Sequence, residues 1–183
     1  MTYRIAHVER LPAAAWRALT DLSIMDNSGY QSSLKRIPMK RYRVVRAQMR
    51  DQQSRIKEHS FAAWSGTRLI GGSVAIEARP GVLFMQTSAV HPDFRRQGVY
   101  TAMVRHIVDW SREQGFYELT SKHHATNNPV LIAKLRLGFT IVGMELVPEW
   151  GPLVMLALPL DPGRADLYRF RAGAIAQLPE LEE

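Results

Sequence analysis

A chain of 183 residues has room for one core of ordinary size and little beyond it, so a single domain over residues 1–183 is expected, with a core to about residue 160 and a tail over 161–183. An apolar fraction of 46% with 22% charged residues excludes a disordered or fibrous chain, and the absence of cysteine excludes disulfides, thiolate metal sites and a cysteine nucleophile. The net charge of +7 is local: Lys35 to Lys57 carries nine basic residues against Asp51 alone, which leaves the remainder close to neutral.

The N-terminus, Met1 to Arg10, lacks the apolar run of a signal peptide, and no stretch approaches the length of a membrane span. A cytoplasmic location with no membrane partner is the expectation. Tyr3 to Val8 alternates as a first strand, and Pro12 opens a helix through Ala13-Ala14-Ala15-Trp16-Arg17-Ala18-Leu19. Asp26 to Ser33 is turn-rich, and after Pro38 a basic helix begins. Arg43, Arg46, Arg50 and Lys57 fall on one stripe of it, beside an apolar stripe of Tyr42, Val45, Met49 and Ile56. That edge suits either an anionic partner (acidic substrate, cofactor phosphate or nucleic acid) or plain solvation. Nucleic acid is the weaker choice, because no aromatic interleaving or known motif accompanies the charge.

Phe61 to Trp64, Leu69 to Glu77 and Val82 to Val90 read as an antiparallel meander, joined at Ser65-Gly66 and Arg79-Pro80-Gly81. From Gly98 to Gln114 the period becomes helical, with Val99, Met103, Ile107 and Trp110 in register and Gly115 as the C-terminal cap. Phe116 to Ser121 is a short strand, Asn127-Asn128-Pro129 starts a helix that ends near Leu137-Gly138, and Phe139 to Leu146 and Leu153 to Leu158 are the last strands. In the tail, Leu167, Phe170, Ala174 and Leu178 recur at helical spacing, a segment positioned to pack on its own body or on a partner. The order implies an α/β fold with a sheet of mixed direction, a hairpin-linked half followed by crossover helices.

The densest chemical signal is the junction Val90-His91-Pro92-Asp93-Phe94-Arg95-Arg96-Gln97-Gly98-Val99-Tyr100-Thr101, where a strand ends and the most regular helix begins. The first amides of a helix lack intrahelical partners and point outward with the positive end of its dipole. A phosphate docks there when the backbone can come close. Gly98 permits that approach, and Arg95 and Arg96 add charge and forked donors. The same residues also suit a plain strand-to-helix turn with exposed arginines.

This junction resembles the acyl-CoA signature of the GNAT superfamily (GCN5-related N-acetyltransferases), Arg/Gln-x-x-Gly-x-Gly/Ala, with Arg95, Gly98 and Tyr100 at the three defined places. The Val90-x-Pro92 approach and the later Asn127 to Gly138-Phe139 stretch are similar to that family too, and the likeness is best from about Leu69 to Glu145. The resemblance implies a mixed, largely antiparallel sheet flanked by helices, with a splayed, bulged strand, and acetyl-CoA as acyl donor. It further implies that Ser88, Ala89 and Val90 offer backbone groups to the pantetheine, that a Val90 amide faces the thioester oxygen, and that Arg96, Gln97, Gly98, Val99, Tyr100 and Thr101 surround the pyrophosphate. Asn127 matches the asparagine that contacts the pantetheine. It equally suits a helix cap, and both roles are compatible.

The sequence departs from the family in three places. Tyr100 stands where Gly or Ala is usual, and its ring is able to reshape the channel. Lys134 stands seven residues after Asn127, where a tyrosine often protonates the leaving thiolate; it either serves the thiolate, if burial depresses its pKa, or points to solvent. Val82 to Val90 has no carboxylate to act as base, so Glu77, one hairpin earlier, is the first candidate, with a surface carboxylate as the alternative. His123 and His124, read as following the strand that ends at Ser121, are the others; His91 suits a structural role in the turn. No H-E-x-x-H or Gly-x-x-x-x-Gly-Lys occurs, and Gly71-Gly72-Ser73 starts a strand rather than a nucleophile elbow, so no metal, P-loop or serine-hydrolase chemistry is expected.

The function expected is transfer of acetyl from acetyl-CoA to a small-molecule or peptide amine by direct attack. An acyl-CoA-responsive binding module is the alternative, and a homodimer through the tail is a further possibility.

Overall fold

The computed structural model describes residues 2–25, 56–147 and 150–179. The turn-rich segment Asp26 to Ser33 and the basic helix, apart from Ile56 and Lys57, lie outside the described residues. Seven strands form one sheet: β1 (Arg4–Val8), β2 (Glu58–Ser65), β3 (Arg68–Arg79), β4 (Val82–Val90), β5 (Glu118–His124), β6 (Thr140–Val147) and β7 (Gly151–Pro159), in the order β1-β2-β3-β4-β5-β7-β6. Four α-helices are described: α1 (Ala13–Met25), α2 (Val99–Glu113), α3 (Asn128–Arg136) and α4 (Pro162–Arg171). None of them is long and apolar enough to cross a membrane.

The β2-β3-β4 meander forms as its turns predict. Gly81 shows why its turn needs glycine: its φ is +73°, and a Cβ there would meet the Tyr117 ring at 2.3 Å. Among the described strands only β4 and β5 pair in parallel, as expected of strands joined by a crossover helix, here α2.

Period-two alternation assigns the two faces of the sheet. Phe61, Ala63, Ala75, Leu83, Met85 and Val90 belong to clusters with α2, whereas Ala62, Val74 and Ala89 pack with Leu11 and Leu19 at α1. In α2, Val99, Met103, Val104, Ile107 and Val108 bury the apolar stripe seen in the sequence.

Two element boundaries differ from expectation in ways that matter. β5 begins at Glu118 and runs on through His124, so both histidines are strand residues rather than loop residues, held by pairing to Val154 and Leu153 of β7. In the tail, α4 ends at Arg171, so Ala174 and Leu178 lie beyond the helix, and Leu167 and Phe170 remain exposed. What docks α4 is polar. The buried Glu118 carboxylate accepts from Tyr168 Oη at 2.8 Å, Arg164 Nε at 3.0 Å and Arg79 at 3.2 Å.

Candidate active site

The parallel pair of β4 and β5 is in register only from Val82–Glu118 to Met85–Ser121. Beyond it the strands fork: Thr87 to Val90 stay paired with β3, while Lys122 to His124 stay paired with β7. The β3–β4 register shifts between Val74 and Ala75, which align with Thr87 and Met85, so Gln86 is the bulged residue. Main-chain groups alternate along a strand. The His91 amide donates to Ile70 on the β3 side, and the Ala89 carbonyl lies over Gly71, so the main-chain groups of Ser88 and Val90 face the fork. Ala89 stays in its wall. The Ser88 and Ser73 hydroxyls bond to each other at 2.8 Å.

At the tip of β4 a 3-10 turn, Pro92–Phe94, leads into α2. Arg95 Nε donates to the Val90 carbonyl at 3.1 Å and its amide donates to Pro92 at 3.1 Å, so Arg95 builds the turn. Arg96 has φ +58°, the one positive value among the described non-glycine residues, and Gly98 follows at φ +81°. Strain of this kind persists where the surrounding structure over-determines it. Gly98 occupies the N-cap of α2 without a side-chain cap, and the first helical amide bond runs from Ala102 to Gly98. The amides of Val99, Tyr100 and Thr101 therefore open outward. A Cβ at Gly98 would meet only Tyr3 Oη, at 3.9 Å, so the approach to them is clear.

Tyr100 does not fill this approach. Its ring packs inward between two core clusters, and burial pushes the phenol pKa up. Asn127 N-caps α3 without a side-chain cap bond, leaving its carboxamide available.

Lys134 is fully buried on α3, which settles the choice between core and solvent. Its Nζ donates to Met85 Sδ at 2.8 Å and lies 4.0 Å from the centre of the Phe139 ring; burial lowers its pKa to about 7. His123, on the same face of β5 as Leu119 and Ser121, is lowered to about 4, first by burial and then by the charges of Lys134 and His124. Among the described residues four buried polar atoms lack a partner: Tyr100 Oη and His106 Nε2 on α2, and Ser121 Oγ and His123 Nε2 on β5. Such atoms are costly unless something binds them, and the two on β5 stand where the strands fork. His124 points to the other face, its ring 6.1 Å from Trp150, with burial lowering its pKa.

Glu77 is corrected. It aligns with Leu83, six residues short of Ala89, or ~20 Å at the rise of a strand. Its carboxylate leans toward β2, 2.9 Å from both His59 Nε2 and Lys57 Nζ, and those bonds hold its pKa down. That pairing matches the surface-carboxylate alternative, and a lowered pKa weakens a carboxylate as a base. Sequence reasoning missed Ser121, Ser73 and Met85. The alternation Leu119, Ser121, His123 could have found the first; the other two depend on cross-strand register and on where α3 lands.

Among the described residues no three His, Asp or Glu side chains gather as a metal site. A cleft of about 480 Å³ lies on the α1 face, lined by Trp16, Thr20, Glu58, Ser60 and Val74 among others, and includes none of the candidate residues.

The sequence profile of the acetyltransferase (GNAT) family matches residues 19–139. No curated protein matches the chain by sequence. Among solved structures, an N-acetyltransferase from Staphylococcus aureus Mu50 is similar at 14% identity and TM-score 0.64, over 88% of this chain and 100% of that one. The ribosomal-protein-S18-alanine N-acetyltransferase of Escherichia coli is similar at 18% and 0.56, over 87% and 95%. A Bacillus anthracis structure in complex with acetyl coenzyme A is similar at 16% and 0.52; the alignment covers 57% of this chain and 63% of that one.

Proposed function

The chain belongs to the acetyltransferase (GNAT) family, and from that premise we propose that it transfers acetyl from acetyl-CoA to a primary amine by direct attack within a ternary complex. The observation that carries this reading is the uncapped start of α2, with Arg96 at φ +58° and Gly98 at φ +81° beside a fork in the sheet. Outward amides and a flanking arginine suit the pyrophosphate; the fork-facing groups of Ser88 and Val90, with the Asn127 carboxamide, suit the amide-rich pantetheine arm. The acetyl-CoA complex of the B. anthracis relative supports the choice of donor. The E. coli relative, named for acetylating an alanine of a ribosomal protein, supports an amine acceptor.

In the reaction the amine nitrogen attacks the thioester carbon, the C–S bond breaks, an amide forms and the thiolate takes a proton. The Val90 amide stabilises the oxyanion of the tetrahedral intermediate. Lys134, near half-titration at neutral pH, is the proton donor to the thiolate: an ammonium with a pKa of about 7 is a stronger acid than a thiol of pKa ~8.5, so the transfer runs downhill. His123, held neutral by burial, is its polar neighbour. The acceptor's own proton leaves to solvent or to His124 on the opposite face.

Calorimetric titration of acetyl-CoA into wild type and Gly98→Glu tests the donor site. Micromolar binding lost in a folded Gly98→Glu is expected; no binding to folded wild type overturns the reading. Release of free thiol that depends on an amine, measured over a panel of amines, then separates an enzyme from a binding module.

A further inference from the structure

The sheet has two unlike edges. β1 is five residues long and carries Arg4 and His7, whereas β6 is eight residues long without a lysine, arginine or proline. Its one charge, Glu145, is already held by Lys122. Solvent-facing edges are normally blunted by short length, charge or proline. β6 has only a register shift between Ile141 and Gly143, and from Gly143 to Val147 it pairs regularly with β7.

The apolar row along this edge is cut off from its cover. Val154 and Leu156 of β7 are buried in the main core. Met144 and Ile141 stand directly opposite them on the same face, yet are 65% and 51% exposed. Leu146, next in the row, is 78% exposed. α3 covers the β7 side through Leu131 and Leu137, and leaves Ile132 and Leu135 exposed. Trp150, at the turn that joins β6 to β7, is exposed as well.

We propose that β6 is the interface of a two-fold homodimer, pairing antiparallel with β6 of a second copy. A second copy is the occupant that fits on three counts. An antiparallel pair of identical strands closes on itself: each copy satisfies the other's free main-chain donors and acceptors, and no new edge is left to grow a fibre. A two-fold axis perpendicular to the sheet keeps the same face uppermost in both copies. The row Ile141, Met144, Leu146 then lies beside its own counterpart, with Ile132 and Leu135 facing across the axis. Glu145, neutralised by Lys122 on the other face, adds no like-charge contact. The third count is area. On that face Ile141, Met144 and Leu146 with Ile132 and Leu135 of α3 leave on the order of 500 Å² in water, near the upper end for a monomer, and the strand's main chain extends this toward the ~800 Å² per partner of a standard interface. The interface is independent of the catalytic reading.

Two measurements test it. Sedimentation velocity on wild type at tens of micromolar is expected to give twice the 20.8 kDa chain mass, and a Met144→Glu/Leu146→Glu double variant is expected to sediment as a folded monomer. The absence of cysteine then gives a direct reading of geometry. Single cysteines placed in turn at Ile141, Met144 and Leu146 should cross-link copies under mild oxidation only near the axis, where a residue meets itself within disulfide reach, ~4.4–6.8 Å between Cα atoms. A monomeric wild type overturns the proposal. So does a dimer that resists the double variant, or one that cross-links through Leu167→Cys in the tail and at none of the β6 positions.

Discussion

Burying a lysine without a carboxylate beside it is unfavourable in proportion to how charged it stays, and Lys134 relieves that penalty by losing its proton in the folded state at about pH 7 instead of 10.5. The unfolded chain binds this proton up to the higher value, so between them it holds more protons than the native state and stability rises with pH. His123, lowered to about 4 from 6.5, acts with the same sign in the lower window. Wild type should gain ~2 kcal/mol between about pH 7 and pH 8.5. Lys134→Met, which suits the contacts with Met85 and Phe139, should flatten that slope and be the more stable protein at about pH 6. Urea melts at the two pH values check both. The same substitution should lower turnover by ~100-fold or more, and the wild-type rate should fall above about pH 7 as the donor loses its proton. A flat rate profile would remove Lys134 from the proton path. Arg96 separates binding from stability in a similar way. Arg96→Gly relieves a left-handed φ, a gain of ~1 kcal/mol, and should weaken acetyl-CoA several-fold by removing charge next to the amides.

At the scale of elements, periodicity made most of the fold legible before any contact was known. The α2 stripe of Val99, Met103 and Ile107, the meander punctuated at Gly66 and Gly81, and the turn leading into Gly98 are all local patterns, and each formed where the pattern put it. What stayed hidden depends on pairing between distant segments. β5 reaches His124 because β7 offers partners as far as Leu153, and nothing within residues 116–124 says so. Glu77 looked available because it stands one hairpin before β4; Lys57, just ahead of β2, and His59 of β2, which hold it, lie far from it in sequence. The tail is the third case. Its apolar spacing suggested a hydrophobic dock, but α4 is anchored through Glu118, a strand residue some fifty positions away. Glu118→Ala leaves Tyr168 and Arg164 without their acceptor and should cost ~2 kcal/mol, discounted from a fully buried pair because both arginines are partly exposed. Limited proteolysis should then cut near Ala172 well before the sheet unfolds. Equal protection of the tail in both proteins would show that the apolar contacts of α4 suffice.

For the whole molecule, the donor site joins elements that are far apart in the chain: the β4 tip, the first turn of α2 and the start of α3. A ligand that spans them should stabilise the folded state as one unit, because it binds the native arrangement and not the unfolded chain. At a hundred times its dissociation constant, acetyl-CoA should add ~2.7 kcal/mol, or about 5–10 °C in melting temperature for a domain of this size. Fragments divide that shift between the two halves of the site. If the α2 amides with Arg96 supply most of the binding, free CoA should stabilise nearly as well as acetyl-CoA, while pantetheine without the pyrophosphate should give little. A large shift with pantetheine alone would locate the affinity at the fork, in Ser88, Val90 and Asn127. Gly98→Glu discriminates once more, since it should abolish the response to CoA and leave any response to pantetheine intact. Loss of both would mean that the turn and the fork hold one another in shape, and that the strained φ of Arg96 is maintained by the sheet behind it.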